Sequence, residues 1–149
     1  HFIWGKVTLF DIGAKVPFII RAPGLSKSGT ASEAMVELID IYPTFADLAG
    51  LRAPDHLQGE SLRPLLGHPE RLGKRKYAYS VVTRGPKNFG YALRNQNWRY
   101  GKWPDGEELY NLRIDPQEKN NLAQKDHLKE RLKNFRSILT EKQNLFEKN

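Results

Sequence analysis

Lys6 is the residue in this chain whose type and setting could most directly do chemistry. It stands in the opening run His1-Phe2-Ile3-Trp4-Gly5-Lys6-Val7-Thr8-Leu9-Phe10-Asp11-Ile12, which leads into the apolar segment Val16-Pro17-Phe18-Ile19-Ile20. An aromatic residue, a lysine and an acidic-aromatic pair thus fall in a loop just ahead of an expected buried strand, where α/β folds present ligand-binding groups. A loop lysine taken alone is more often solvent-exposed, so the role depends on the surrounding motif. Ser61, in Gly59-Glu60-Ser61, is read as a helix cap. It lacks the second glycine of a Gly-x-Ser-x-Gly nucleophile elbow and no strand leads into it. The cluster Lys74-Arg75-Lys76 could touch a polyanion but reads first as a solvated connection.

Periodicity gives the elements that must position these groups. Val16 to Ile20 is short, apolar and β-branched, which predicts a strand covered on both faces, ended by Ala22-Pro23-Gly24. Asp40 to Ala49 reads as a helix with Asp40 as N-cap and Pro43 in the first turn. Ile41, Phe45 and Leu48 would form its packing face and Gly50 its stop. Tyr42 and Asp47 are read as structural. From Tyr77 the pattern shortens to strand-like segments at 77–82, 90–94, 98–103 and 108–112, joined by Asn95-Gln96-Asn97 and Pro104-Asp105-Gly106, which predicts a small antiparallel meander. Within it Trp98 and Tyr100 share one face while Arg99 and Trp103 share the other, so that one face packs and the other can meet solvent or substrate. A final helix runs from about Asp126 to Phe146, with Leu128, Leu132, Phe135 and Leu139 at helical spacing.

Composition narrows the field. With 149 residues, 39% of them hydrophobic, the chain can bury a core and is too apolar for a disordered tail. Lys and Arg number 24 against 17 Asp and Glu, a formal charge of +7. Such a surface attracts polyanions without choosing among nucleic acid, anionic lipid and sulfated polysaccharide. The Gly-aromatic signature of an RNA-recognition sheet is missing, so nucleic acid is not the expected partner. No apolar run reaches the roughly 20 residues that cross a bilayer. The absence of cysteine excludes disulfides and thiolate metal sites.

The order His-x-x-Trp-x-Lys-x-x-x-Phe-Asp, followed by Val-Pro-Phe-Ile-Ile and Ala-Pro-Gly, resembles the type I sulfatases, and among them the iduronate-2-sulfatase-like branch. Two further landmarks agree: Gly59-Glu60-Ser61-Leu62-Arg63-Pro64-Leu65-Leu66, and Glu108-Leu109-Tyr110-Asn111-Leu112 running through Asp115-Pro116-Gln117-Glu118 to Asn121-Leu122, with Asn111 where the family more often has Asp. The resemblance implies residues 1–72 as the last part of an α/β catalytic domain of the alkaline phosphatase-like fold. Residues 73–149 would be a C-terminal α+β subdomain of small antiparallel sheet and helix. It implies sulfate-ester hydrolysis, sulfate contact by Lys6, and a formylglycine nucleophile and calcium ion whose residues lie upstream of this chain, so that the chain alone is expected to be inactive. His1 is a candidate near the site. Arg84 and Lys87, in the loop between two strands, are candidates for binding the carboxylate of a uronic acid or a second sulfate. The implied partners are a sulfated saccharide, such as an iduronate-2-sulfate unit, and the upstream part of the catalytic domain, with no membrane. The implied setting is periplasmic, secreted or lysosomal. The competing expectations are a phosphodiesterase or phosphonate hydrolase of the same superfamily and a non-catalytic polyanion-binding module.

Overall fold

The computed structural model describes residues 7–147, with side chains described from 7 to 144. They fall into two units, one comprising the chain up to Val16 and from Tyr79 onward, the other Pro17 to Ala78.

The first unit is built on four strands, β1 (Ala78–Thr83), β2 (Phe89–Arg94), β3 (Trp98–Trp103) and β4 (Gly106–Asn111), hydrogen-bonded in that order. The β2–β3 turn closes because the Asn95 side-chain oxygen accepts from the backbone N–H of Asn97 and Trp98, at 3.0 and 2.9 Å; such Asx turns replace a lost ladder bond locally. The antiparallel register aligns Leu93, Tyr100 and Leu109 in one row. All three are buried, because a helix, α4 (Lys129–Glu147), lays Leu132, Phe135 and Leu139 over them. Phe135 stacks on Tyr100 with centroids 5.6 Å apart.

The other face is packed as well. Ala92, Arg99 and Tyr110 lie on it by strand alternation, and all are buried. Phe10 sits against them, 5.7 Å from the Tyr110 ring, ahead of the one-turn helix α1 (Asp11–Ala14). Both faces are therefore packed, where one of the two was expected to be open to solvent or substrate: Tyr100 is fully buried on one and Arg99 is 1% exposed on the other. An exposed role for arginine fails here because two carboxylates and two aromatic rings converge on its guanidinium.

The second unit departs further from the periodicity reading. Residues 16–20 form no strand, and Ile19 is 90% exposed. A strand covered on both faces needs hydrogen-bonded neighbours, and the described residues contain no strands besides β1 to β4. A 3-10 turn (Leu38–Asp40) leads into α2 (Ile41–Leu48), ended at Gly50 with φ +69°.

Asp40 does not cap α2 through its side chain. Its carboxylate accepts from the Glu37 and Glu60 backbone N–H groups, at 2.8 and 2.9 Å, and receives the Arg75 guanidinium. Arg75 is accordingly drawn largely out of solvent, while Lys74 and Lys76 beside it stay exposed as a solvated connection would have them. Gly59 lets the chain pass this close, since a Cβ there would strike the Ile39 carbonyl.

The packing face of α2 is also not the expected one. Thr44 donates to the Asp40 carbonyl at 2.6 Å and accepts from the Leu62 N–H at 2.9 Å. That turns Pro43 and Thr44 inward and Phe45 outward, 61% exposed. Ser61 is not the cap residue of α3 (Arg63–Gly67), which is Leu62; it sits one position earlier, accepts from the Arg63 N–H at 3.2 Å and donates to Asp47 at 2.5 Å.

Candidate functional site

Lys6 and His1 lie outside the described residues. The description of this segment begins at Val7, whose φ of 58° is in the left-handed region that a β-branched residue seldom occupies. Such backbone persists only where surrounding contacts impose it, and the next residues show strong contacts. Thr8, Leu9 and Phe10 are buried. The Asp11 carboxylate receives Nε of Arg94 at 3.1 and 3.2 Å and Nη2 at 3.1 Å. The Asp11 backbone N–H donates to Oε2 of Glu118 at 2.7 Å.

Glu118 is the hinge of the network. Its other oxygen takes Nε of Arg99, whose terminal nitrogens reach Oε2 of Glu108 at 3.2 and 3.1 Å. The Arg99 guanidinium lies 4.4 Å from the Phe10 ring centre and 4.7 Å from that of Tyr110. Delocalised charge between aromatic faces, with a carboxylate at each edge, suits arginine and not lysine. Burial, reinforced by the nearby Glu108 charge, pushes the Tyr110 hydroxyl up to about 12, so this side chain stays neutral beside the ions.

The Asp-Pro landmark explains how Glu118 arrives there. Asp115 accepts from the N–H groups of Lys119 and Asn120, at 3.1 and 2.8 Å, and its carbonyl accepts from the Glu118 N–H at 3.0 Å. That turn holds Glu118 at φ 53° and 2% exposed. Asn121 then receives the Leu109 N–H at 3.0 Å and donates to the Glu107 carbonyl at 3.0 Å, sealing the free edge of β4.

Arg84 and Lys87 share the β1–β2 turn, where the Arg84 N–H donates to the Asn88 carbonyl at 2.8 Å. The Arg84 guanidinium lies 4.4 Å from the Trp103 ring centre. Lys87 is exposed. Among the described residues no three His, Asp or Glu side chains converge to hold a metal. Asp11, Glu108 and Glu118 each face a guanidinium, so the described residues do not fit a calcium site. Periodicity missed Arg99, Glu118, Arg94 and Asp11 as a unit; the signal for Glu118 was its fixed place after Asp115-Pro116.

A four-stranded meander packed by a helix, with Phe10 and Asp11 clamped across its other face through an Asp-Pro-x-Glu turn, has the architecture of a C-terminal subdomain of the sulfatase family. The chain belongs to the family described as N-sulphoglucosamine sulphohydrolase, C-terminal, which it matches over residues 1–145. It is 31% identical to an N-acetylglucosamine-6-O-sulfatase of Bacteroides thetaiotaomicron, over all of this chain and 28% of that protein. A protein solved in complex with its substrate D-glucosamine-2-N,6-O-disulfate matches at TM-score 0.79 and 31% identity, over 88% of this chain and 28% of the other. A phosphonate monoester hydrolase from Silicibacter pomeroyi also matches at TM-score 0.79, with 27% identity, over 95% of this chain and 31% of that one. The chain thus spans less than a third of the length of these relatives.

Proposed function

We propose that the protein to which this chain belongs hydrolyses a sulfate ester on a sulfated saccharide, with Lys6 contacting the sulfate. The observation that carries this reading is the clamp on Phe10 and Asp11, four and five residues beyond Lys6, by Arg94, Arg99 and Glu118. A cation that stabilises charge on a reacting group must be held in place before the reaction, since its value lies in costing no reorganisation. The family's formylglycine and calcium would supply the attacking oxygen and charge neutralisation, both from residues upstream of this chain. Lys6, from this chain, would place its ammonium beside sulfate oxygens in a water-poor pocket. Arg84, Lys87 and His1 are proposed as substrate-binding residues around it.

The iduronate-2-sulfate unit is our proposed substrate, on the resemblance of residues 90–94 and 98–103 to that branch; the 6-O-sulfated glucosamine that relatives act on is the rival. Outward-facing Val16, Ile19, Tyr42 and Phe45 support the reading that upstream polypeptide completes the catalytic domain and that this chain alone turns nothing over. A periplasmic, secreted or lysosomal setting fits such a substrate, and among the described residues no helix is long and apolar enough to cross a membrane.

The test is turnover by the intact protein on 2-O-sulfated iduronate disaccharides, 6-O-sulfated glucosamine and a phosphonate monoester. Lys6→Ala is expected to lower kcat about 10²- to 10³-fold, the scale of losing one positioned electrostatic group. Preference for the phosphonate would establish the rival hydrolase reading, and an unchanged kcat would remove Lys6 from the chemistry.

A further inference from the structure

We infer that Arg84, seated on Trp103, reads a second anionic group of the saccharide, one that is bound and not cleaved; this rests on the sulfatase reading above. Arg52, Arg63, Arg75, Arg94, Arg99 and Arg136 each meet a carboxylate. Arg84 meets none among the described residues, as is also true of Arg21, Arg71, Arg113 and Arg131, but it has an indole as its side-chain partner, which the first three lack. An arginine serving the fold has its N–H groups taken up, as those of Arg99 and Arg75 are. Those of Arg84 meet no acceptor among the described residues and are open to a ligand.

Its position is nonetheless fixed. The turn is pinned by Thr83, whose hydroxyl donates to the Gly85 carbonyl at 2.5 Å, and by the Arg84 N–H bond to Asn88. Trp103 is seated in turn by Gly90: a Cβ there would come within 2.6–2.7 Å of three atoms of the six-membered ring. The indole fills the space a side chain on β2 would occupy. A guanidinium held over an aromatic ring is desolvated on that side and keeps its planar fork of donors for bidentate contact with a sulfate or carboxylate. Lys87 adds charge to the same loop without such a seat. Arg131 provides the contrast: it also lies over an indole, Trp98, at 4.4 Å, but from a helix surface with no turn or glycine to fix it.

The test uses the intact protein and three disaccharide probes that share the cleaved sulfate. One carries no other charge, one adds a uronate carboxylate, and one adds a second sulfate. The readout is the ratio of kcat/KM on each doubly charged probe to that on the singly charged one, with calorimetric binding of the same probes as a measure independent of turnover. Arg84→Gln is expected to lower the ratio about 10- to 100-fold, through KM, as one charge-assisted pair is lost. Trp103→Leu and Gly90→Ala, which leave the charge but unseat it, should lower it about 3- to 10-fold, and Arg131→Gln should leave it unchanged. The probe that responds identifies the group as carboxylate or sulfate. A ratio within about twofold of the parent in Arg84→Gln, or an equal fall in Arg131→Gln, overturns the inference. Failure of the parent to hydrolyse any sulfated probe overturns the sulfatase reading instead, and the binding measurement then decides Arg84 alone.

Discussion

Two buried ion pairs show how a single carboxylate can organise each unit. Removing Glu118 would strip Arg99 of its buried counter-charge and release the Asp11 N–H together. Glu118→Gln is expected to destabilise by about 3–5 kcal/mol, the cost of breaking a buried pair from one side, whereas pairing it with Arg99→Met should recover part of that loss in denaturant unfolding. If the double variant is as unstable as the sum of the singles, the pair is not what holds the segment. Asp40 is the counterpart in the second unit. Burial alone would raise its carboxyl, but the Arg75 guanidinium and the Glu60 and Glu37 backbone N–H groups outweigh that and hold it below the usual carboxylate range. A depressed folded value means stability that is present in full above the unfolded carboxyl value of about 3.9 and lost as pH falls through the folded value. The gap in unfolding midpoint between the parent and Asp40→Asn should therefore be constant near neutrality and close only in acid. A gap that closes above about pH 6 would assign the effect to another group. Neither pair was legible from sequence, since their members stand 19 and 35 positions apart. Asp40 even carried a competing local reading as an N-cap.

At the level of elements, legibility followed whether the burial pattern is generated inside the chain. The meander and α4 were readable because Leu93, Tyr100, Leu109, Leu132, Phe135 and Leu139 bury one another, so that strand alternation and helical spacing report real contacts. The faces of the sheet were half readable: alternation separated Arg99 from Tyr100 but could not reveal that Phe10, from the far end of the chain, would cover the Arg99 side. The strand at residues 16–20 and the inward Phe45 failed for one shared reason. Val16, Ile19 and Phe45 are exposed among the described residues, and only the proposed completion of the catalytic domain would give them a covering surface. Phe135→Ala should accordingly cost about 3–5 kcal/mol, the usual penalty for emptying a buried aromatic site. Phe45→Ala should stay within about 0.5 kcal/mol in this chain by itself, as exposed substitutions do. A large loss at Phe45 in thermal unfolding would mean that its outward face is already covered.

Across the molecule, the two units are stabilised by different means. The first has an apolar core on one face of its sheet and a sealed ion network on the other. In the second, the residues most deeply buried are Asp40 and Thr44, while Ile19, Leu38, Tyr42, Phe45 and Leu51 face outward. Hydrophobic burial is the dominant favourable contribution to folding, so the second unit should open more often than the first. Amide hydrogen exchange on the chain alone is expected to protect β2, β3, β4 and α4 most, with residues 17–51 exchanging through local openings of lower free energy. In the intact protein, protection over 17–51 should rise towards that of the sheet, because the outward apolar residues would then be covered and the proposed catalytic domain completed. The comparison bears on the whole reading at once. Protection of 17–51 that is already as high in the isolated chain, or that does not change in the intact protein, would mean that the exposed apolar face is not where this chain joins the rest of an enzyme.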